Sequence, residues 1–109
     1  MRWFDIGTID DIPRRGARCV KTPQGPIGVF RTQDDRIFAI ADHCPHKGGP
    51  LSQGIVHGAA VTCPLHNWSI SLETGRALGA DEGVVRTIPV RVKGARVAIA
   101  LAAMALAAE

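Results

Sequence analysis

The sequence predicts a small all-β domain, an antiparallel sandwich or barrel, on three observations. Short β-branched runs recur at close spacing, turn residues separate them, and no stretch of ordinary helical length intervenes before the end of the chain. A length of 109 residues suits one domain with a single modest core. Such a domain has room for one site.

The elements follow in order. CVKT (19–22) is the first strand-like run, and GPIGVFRT (25–32) and RIFAIAD (36–42) flank Gln33-Asp34-Asp35 as a hairpin. AAVTC (59–63) and WSISL (68–72) come next, the latter with Trp68, Ile70 and Leu72 at the period of a strand facing a core. VRTIPVRV (85–92) and ARVAIAL (95–101) flank Lys93-Gly94 as a second hairpin. Ile88, Val90 and Val92 alternate with Thr87 and Arg91, which predicts a half-buried strand, and Pro89 requires an edge position or a bulge because it cannot donate to a ladder. Residues 1–101 form the domain, and the Ala-rich AAMALAAE (102–109) has helix propensity but is too short to be stable alone, so it is set apart as a tail.

Charge narrows the function classes. The net charge of +3 is carried by bases spread along the chain (Arg14, Arg15, Arg18, Lys21, Arg31, Arg36, Arg86, Arg91, Arg96) with acids between them, and aromatic residues are 5% of the total. A nucleic-acid reader concentrates its charge and offers stacking platforms, so no nucleic-acid partner is expected; an acidic protein partner suits the charge better. The opening MRWFDIGTIDD lacks the apolar run of a secretory signal, and no stretch approaches the roughly 20 apolar residues that span a bilayer. A cytoplasmic chain with no membrane partner is expected. In a reducing compartment three cysteines, an odd number, argue for metal ligation over a disulfide framework.

The chemistry gathers in two short stretches. Cys44-Pro45-His46 is followed by Lys47-Gly48-Gly49-Pro50-Leu51, and sixteen residues after His46 comes Cys63-Pro64-Leu65-His66. Each loop offers one thiolate and one imidazole. A structural zinc and a [2Fe–2S] cluster with mixed ligands are the physical candidates. Zinc fingers usually pair like with like, as Cys-x₂₋₄-Cys followed by His-x₃₋₅-His. Two loops that each carry one of each suit a two-iron unit, with both thiolates on one iron and both imidazoles on the other. Gly48 and Gly49 would let backbone N–H groups approach the sulfides, Pro50 and Leu51 would stiffen and cover the site, and Lys47 would be solvated or offset the cluster's negative charge. Three further residues stand outside the ligand set. Cys19 is expected to be a buried small hydrophobe, His57 a histidine without a direct role, and Trp68 core beneath the second loop.

On Cys44-Pro-His46 and Cys63-Pro-Leu-His66 the sequence resembles Rieske [2Fe–2S] domains. Over "CPHKGGPLSQGIVHG", "CPLHNWSISLETG", "DEGVVRTIPVRV", Trp3 and "IPRRGARCV" it is similar to the small subunits of assimilatory NAD(P)H-dependent nitrite reductases, across residues 1–101. Val84 and Ile88 stand where that group often has a cysteine and an aromatic residue, and neither position is a ligand. Some of its members have lost the ligands; this chain keeps Cys44, His46, Cys63 and His66. The resemblance implies a Rieske-type fold with two cluster-binding loops, one [2Fe–2S] cluster per chain, and those four residues as ligands. It further implies a large-subunit partner bearing flavin, a [4Fe–4S] cluster and siroheme, the complex reducing nitrite to ammonium.

A cluster whose coordination positions are all filled by protein moves an electron and binds no substrate, and the chain carries neither a nucleotide-binding glycine fingerprint nor an acid–base constellation. Alone, it reads as an electron carrier. Two rivals remain: the Rieske ferredoxin of an aromatic-ring dioxygenase, whose second histidine is usually followed by Gly and a Phe-Asp pair, and a zinc module that mediates protein association. High-potential Rieske proteins add a disulfide between the loops and serine and tyrosine donors after the second histidine. Here Trp68 and Ile70 occupy the serine and tyrosine positions, which implies a low reduction potential.

Overall fold

The computed structural model describes residues 2–44, 49–64, 67–78 and 83–101. Among these residues ten strands form three antiparallel sheets, and two 3-10 turns, Ile9–Asp11 and Leu51–Gln53, are the helical elements. The strands are β1 (Arg2–Thr8), β2 (Gly16–Thr22), β3 (Gly25–Arg31), β4 (Ile37–Ala41), β5 (Ile55–His57), β6 (Ala60–Thr62), β7 (Ser69–Ser71), β8 (Thr87–Ile88), β9 (Val90–Lys93) and β10 (Arg96–Leu101). The all-β expectation holds. No helix among the described residues is long and apolar enough to cross a membrane.

The sheets are ordered β1-β10-β9, β2-β3-β4-β8 and β5-β6-β7. Both predicted hairpins form: β3 pairs β4 from Ile27↔Ala41 to Arg31↔Ile37, and β9 pairs β10 from Lys93↔Arg96 to Val90↔Ile99. Their turns depend on left-handed residues, Asp35 (φ 65°) in the first and Gly94 (φ 61°) in the second.

The expected strand over 85–92 is two strands. β8 pairs β4 at the edge of the four-stranded sheet, while β9 pairs β10 at the edge of another, and Pro89 stands between them. The edge position predicted from Pro89 is therefore right for both pieces, and the proline marks the point where the chain changes sheets. Val92 departs from the predicted alternation: it is exposed, because β9 has a neighbour on one side only.

A single core was expected; the described residues form two. Ile27 and Val29 of β3 and Ala39 of β4 join Ile12, Ile88, Val97, Ile99 and Leu101 in one apolar cluster. Phe30 of β3 and Ile40 of β4 join Leu51, Val56, Val61, Ile70, Leu72 and Val85 in the other, which also contains Cys44 and Cys63. Strand period explains the division, since successive side chains of β3 and β4 point to opposite faces. The four-stranded sheet lies between the two cores, and one of them holds both thiols.

Candidate metal centre

Cys44 and Cys63 are 2% and 0% exposed and belong to one packed cluster, although they come from separate loops. Cys44 follows β4 and Cys63 follows β6, so each thiol sits just beyond the end of a strand that the core already fixes. The two loops close alike. The Cys44 N–H donates to the Gly49 carbonyl at 2.8 Å, and the Cys63 N–H donates to the Trp68 carbonyl at 2.6 Å. Each closure spans five positions. His46, with Lys47 and Gly48, lies inside the first loop, and His66 inside the second; all four are outside the described residues.

Leu51 is fully buried against the thiol-bearing cluster, and Trp68 packs partly buried on it beside Ile70 and Leu72. Gly49 is buried and supplies the carbonyl that closes its loop, whereas Pro50 is exposed and leads into the 3-10 turn over Leu51–Gln53. Gly54, just after that turn, touches the second loop's approach strand: a Cβ there would lie 2.2 Å from the Thr62 carbonyl oxygen. The absence of a side chain lets the two loops' supports meet.

Cys19 corrects an expectation. It is exposed on β2, the edge strand of its sheet, and does not join either core. Desolvation around its sulfur and then a hydrogen bond to the Asp42 carboxylate raise the thiol's pKa, which leaves it the less reactive protonated form. His57 is exposed on β5, with Nε2 2.7 Å from Thr62 Oγ1, and that hydroxyl is 3.0 Å from Ser69 Oγ. Val84 is exposed and Ile88 belongs to the core without thiols, so neither joins the cluster that holds Cys44 and Cys63.

Two residues near the first loop had no signature in the sequence. Asp42 is 5% exposed, and its carboxylate accepts the Ser52 N–H and the Ser52 hydroxyl, each at 2.6 Å. An Asp two residues before a cysteine and a Ser ten residues later look like ordinary loop polarity. Burial of the carboxylate is what distinguishes them, and burial is not written in the local sequence.

The donor set can be tested against a metal group on these observations. Two buried thiols from two loops, brought to one apolar cluster with their backbones tied off, suit anions that a metal neutralises, because an uncompensated buried thiolate would be costly. No disulfide forms among the described residues. The fold and the paired loops define an iron–sulfur electron-transfer domain. The Rieske-like [2Fe–2S] domain family matches residues 2–100, and the chain belongs to that family. It is 35% identical over 98 residues to the anthranilate 1,2-dioxygenase ferredoxin subunit of Burkholderia cepacia, covering 89% of this chain and 90% of that one. To the 3-phenylpropionate/cinnamic acid dioxygenase ferredoxin subunit of Photorhabdus laumondii it is 37% identical over 97 residues, covering 86% and 90%. Among solved structures, a Mycobacterium tuberculosis protein described as an NADH-dependent nitrite reductase small subunit superposes with a TM-score of 0.83 at 24% identity, covering 93% of this chain and 96% of that one, a likeness of fold.

The cofactor is a Rieske [2Fe–2S] cluster, and the protein is a ferredoxin-like electron-transfer protein. Such a cluster takes up and releases one electron at a time. Cys44 and Cys63, with His46 and His66 of the same loops, would hold the cluster; what the chain shows is both thiols packed in hydrocarbon with Leu51 and the supports of the two loops meeting at Gly54.

Proposed function

We propose that this chain is the electron-transferring small subunit of an assimilatory NAD(P)H-dependent nitrite reductase, with Cys44 and Cys63 on one iron and His46 and His66 on the other. Its partner would be the large subunit carrying flavin, a [4Fe–4S] cluster and siroheme, in the cytoplasm, with nitrite reduced to ammonium on that partner. The observation that carries the reading is the sequence after the second histidine, Asn67-Trp68-Ser69-Ile70, in place of the Gly and Phe-Asp of dioxygenase ferredoxins. Asn67 takes the left-handed backbone that glycine adopts easily (φ 58°), so the turn is kept. The difference then rests on Trp68 and Ile70, which pack on the thiol-bearing core.

A second reading, the ferredoxin of an aromatic-ring dioxygenase, is favoured by the 35% and 37% identities to two such subunits. Recovery of the tagged chain from its host with mass identification of its partner separates them. A siroheme flavoprotein is the expected partner. A terminal oxygenase recovered in its place, and reoxidising the reduced chain, would replace the first reading by the second.

A further inference from the structure

We propose that Asp42 is a positioning residue for the cluster, acting through Ser52 to hold the first ligand loop closed. Cys44 follows β4, and the Leu51–Gln53 turn lies against β2 and β3 of the same sheet. Its inner closure is the Cys44 N–H to Gly49 bond; its outer closure is Asp42, which binds both the backbone N–H and the hydroxyl of Ser52 at 2.6 Å. Asp42 is itself anchored, its N–H donating to the Pro26 carbonyl at 2.9 Å.

Gly28 of β3 lies beside the carboxylate; a Cβ there would fall 2.7 Å from the Phe30 ring, which is what the glycine accommodates, and in ordinary contact, 3.5 Å, with Asp42 Oδ1. Charged side chains are rarely buried unless every oxygen is occupied. Here both oxygens accept from Ser52, with the Cys19 thiol a further hydrogen-bond neighbour of the carboxylate, and Ser52 is the next residue after the fully buried Leu51. Two short hydrogen bonds to a buried carboxylate therefore fix the return of the loop, and with it the placement of Cys44 two residues from the anchor. The second loop has a different support, the close approach of Gly54 to Thr62.

The proposal rests on Cys44 being a cluster ligand, which Cys44→Ala tests separately by complete loss of the visible spectrum. The clasp itself is tested on holoprotein by three substitutions, measuring the rate of cluster bleaching by an iron chelator and the EPR spectrum of the reduced cluster. Asp42→Ala is expected to bleach about 10-fold faster or more, the range for loss of a group that orients metal ligands, and to broaden or shift the EPR signal. Asp42→Asn keeps one acceptor for the Ser52 N–H and gains a donor for its hydroxyl oxygen, so it is expected to restore both readouts to near the parent values. Ser52→Ala keeps the backbone bond and should fall between. If Asp42→Ala fails to fold, Ser52→Ala and Asp42→Asn still decide the matter. Parent-like bleaching and EPR in Ser52→Ala and in any soluble Asp42→Ala protein would overturn the proposal, and so would an Asp42→Asn protein no better than Asp42→Ala or worse than Ser52→Ala.

Discussion

The two cores on either side of the β2-β3-β4-β8 sheet draw on the same strands and differ in what they enclose. On one side Ile27, Val29 and Ala39 meet Val97, Ile99 and Leu101, and every buried member is a hydrocarbon side chain. On the other, Phe30 and Ile40 meet short strands of three residues each, together with two thiols on loops. The first core is closed by long-range pairing of β1 with β10 over six residue pairs. Strands as short as β5, β6 and β7 give little independent stability, so the second core leans on the shared sheet and on the backbone closures at Cys44 and Cys63. One half is a scaffold; the other is a site held by it.

That division is broken most severely by removing one of the two thiols proposed as ligands. Cys44→Ala or Cys63→Ala should abolish iron, acid-labile sulfide and visible absorption, against the two irons and two sulfides that a [2Fe–2S] centre requires in the parent. Far-ultraviolet circular dichroism should keep most of its β signal, because the hydrocarbon core lies on the other face of the shared sheet. His57→Ala, altering an exposed residue, should leave the spectrum unchanged. A Cys63→Ala protein that retains the cluster would remove Cys63 from the ligand set.

The next effect concerns the thiol-bearing half alone. The Rieske range runs from about −150 to about +300 mV, and hydrogen bonds to sulfur raise the value by stabilising the more negative reduced cluster. Where high-potential members place serine and tyrosine, this chain has Trp68 and Ile70, the latter fully buried in hydrocarbon, so neither hydroxyl is present. A midpoint near −150 mV is expected by spectroelectrochemical titration. A value above about +100 mV, well into the upper part of the range, would contradict both the missing-hydroxyl argument and the placement beside an NAD(P)H-linked partner.

The sequence discloses these two halves unequally. Hairpins built from adjacent runs, β3–β4 and β9–β10, are legible because period and turn residues are local. The two cysteine loops stand out too, since Cys-x-His and Cys-x-x-His are marked by their spacing, and the structure packs Cys44 and Cys63 into one cluster. β1 is not: Asp5 and Gly7 interrupt its apolar pattern, a bulge falls between them, and its partner β10 lies at the other end of the chain. Nor is the exposure of Cys19, which follows from β2 being an edge strand, or the burial of Asp42, whose partner Ser52 lies ten residues on. Local pattern identifies elements, whereas sheet order decides which of their faces is covered.

Truncating one buried side chain in each half sharpens the comparison further. Ile99→Ala and Leu51→Ala each remove a fully packed aliphatic group and should destabilise by about 2–5 kcal/mol in denaturant unfolding. The losses should differ in kind. Ile99→Ala should keep the parent's visible spectrum and bleaching rate, since its neighbours are hydrocarbon, whereas Leu51→Ala should also hasten bleaching because it packs with both cysteines. Equal bleaching in the two variants would mean that the halves are not separable in this way.

The smallest effect is on acid stability, and it falls on groups outside the ligand loops. A hydrogen bond from Arg96 holds the Asp5 carboxyl below the usual carboxylate range, and hydrogen bonds from Arg14 and then Arg31 do the same for Asp35. The Thr8 N–H lowers Asp11, and the Thr32 hydroxyl, followed by Arg36, lowers Asp34. Each group is more acidic folded than unfolded, so its contribution is fully present above the unfolded value of about 3.9 and is lost as pH falls through the folded value. All four are solvent-exposed, and exposed pairs contribute little, so the decline below about pH 4 should be shallow and should weaken further in high salt. Asp5→Asn isolates one of them. Its pairing with Arg96 joins β1 to β10, at 2.6 Å from carboxylate oxygen to guanidinium nitrogen. The variant should be slightly less stable than its parent at pH 7, and the gap should close as the parent's Asp5 protonates. Denaturant melts at pH 7 and pH 3 in a Cys63→Ala background check this without interference from cluster loss. A gap that widens in acid would mean that Asp5 is not held in its ionised form by Arg96.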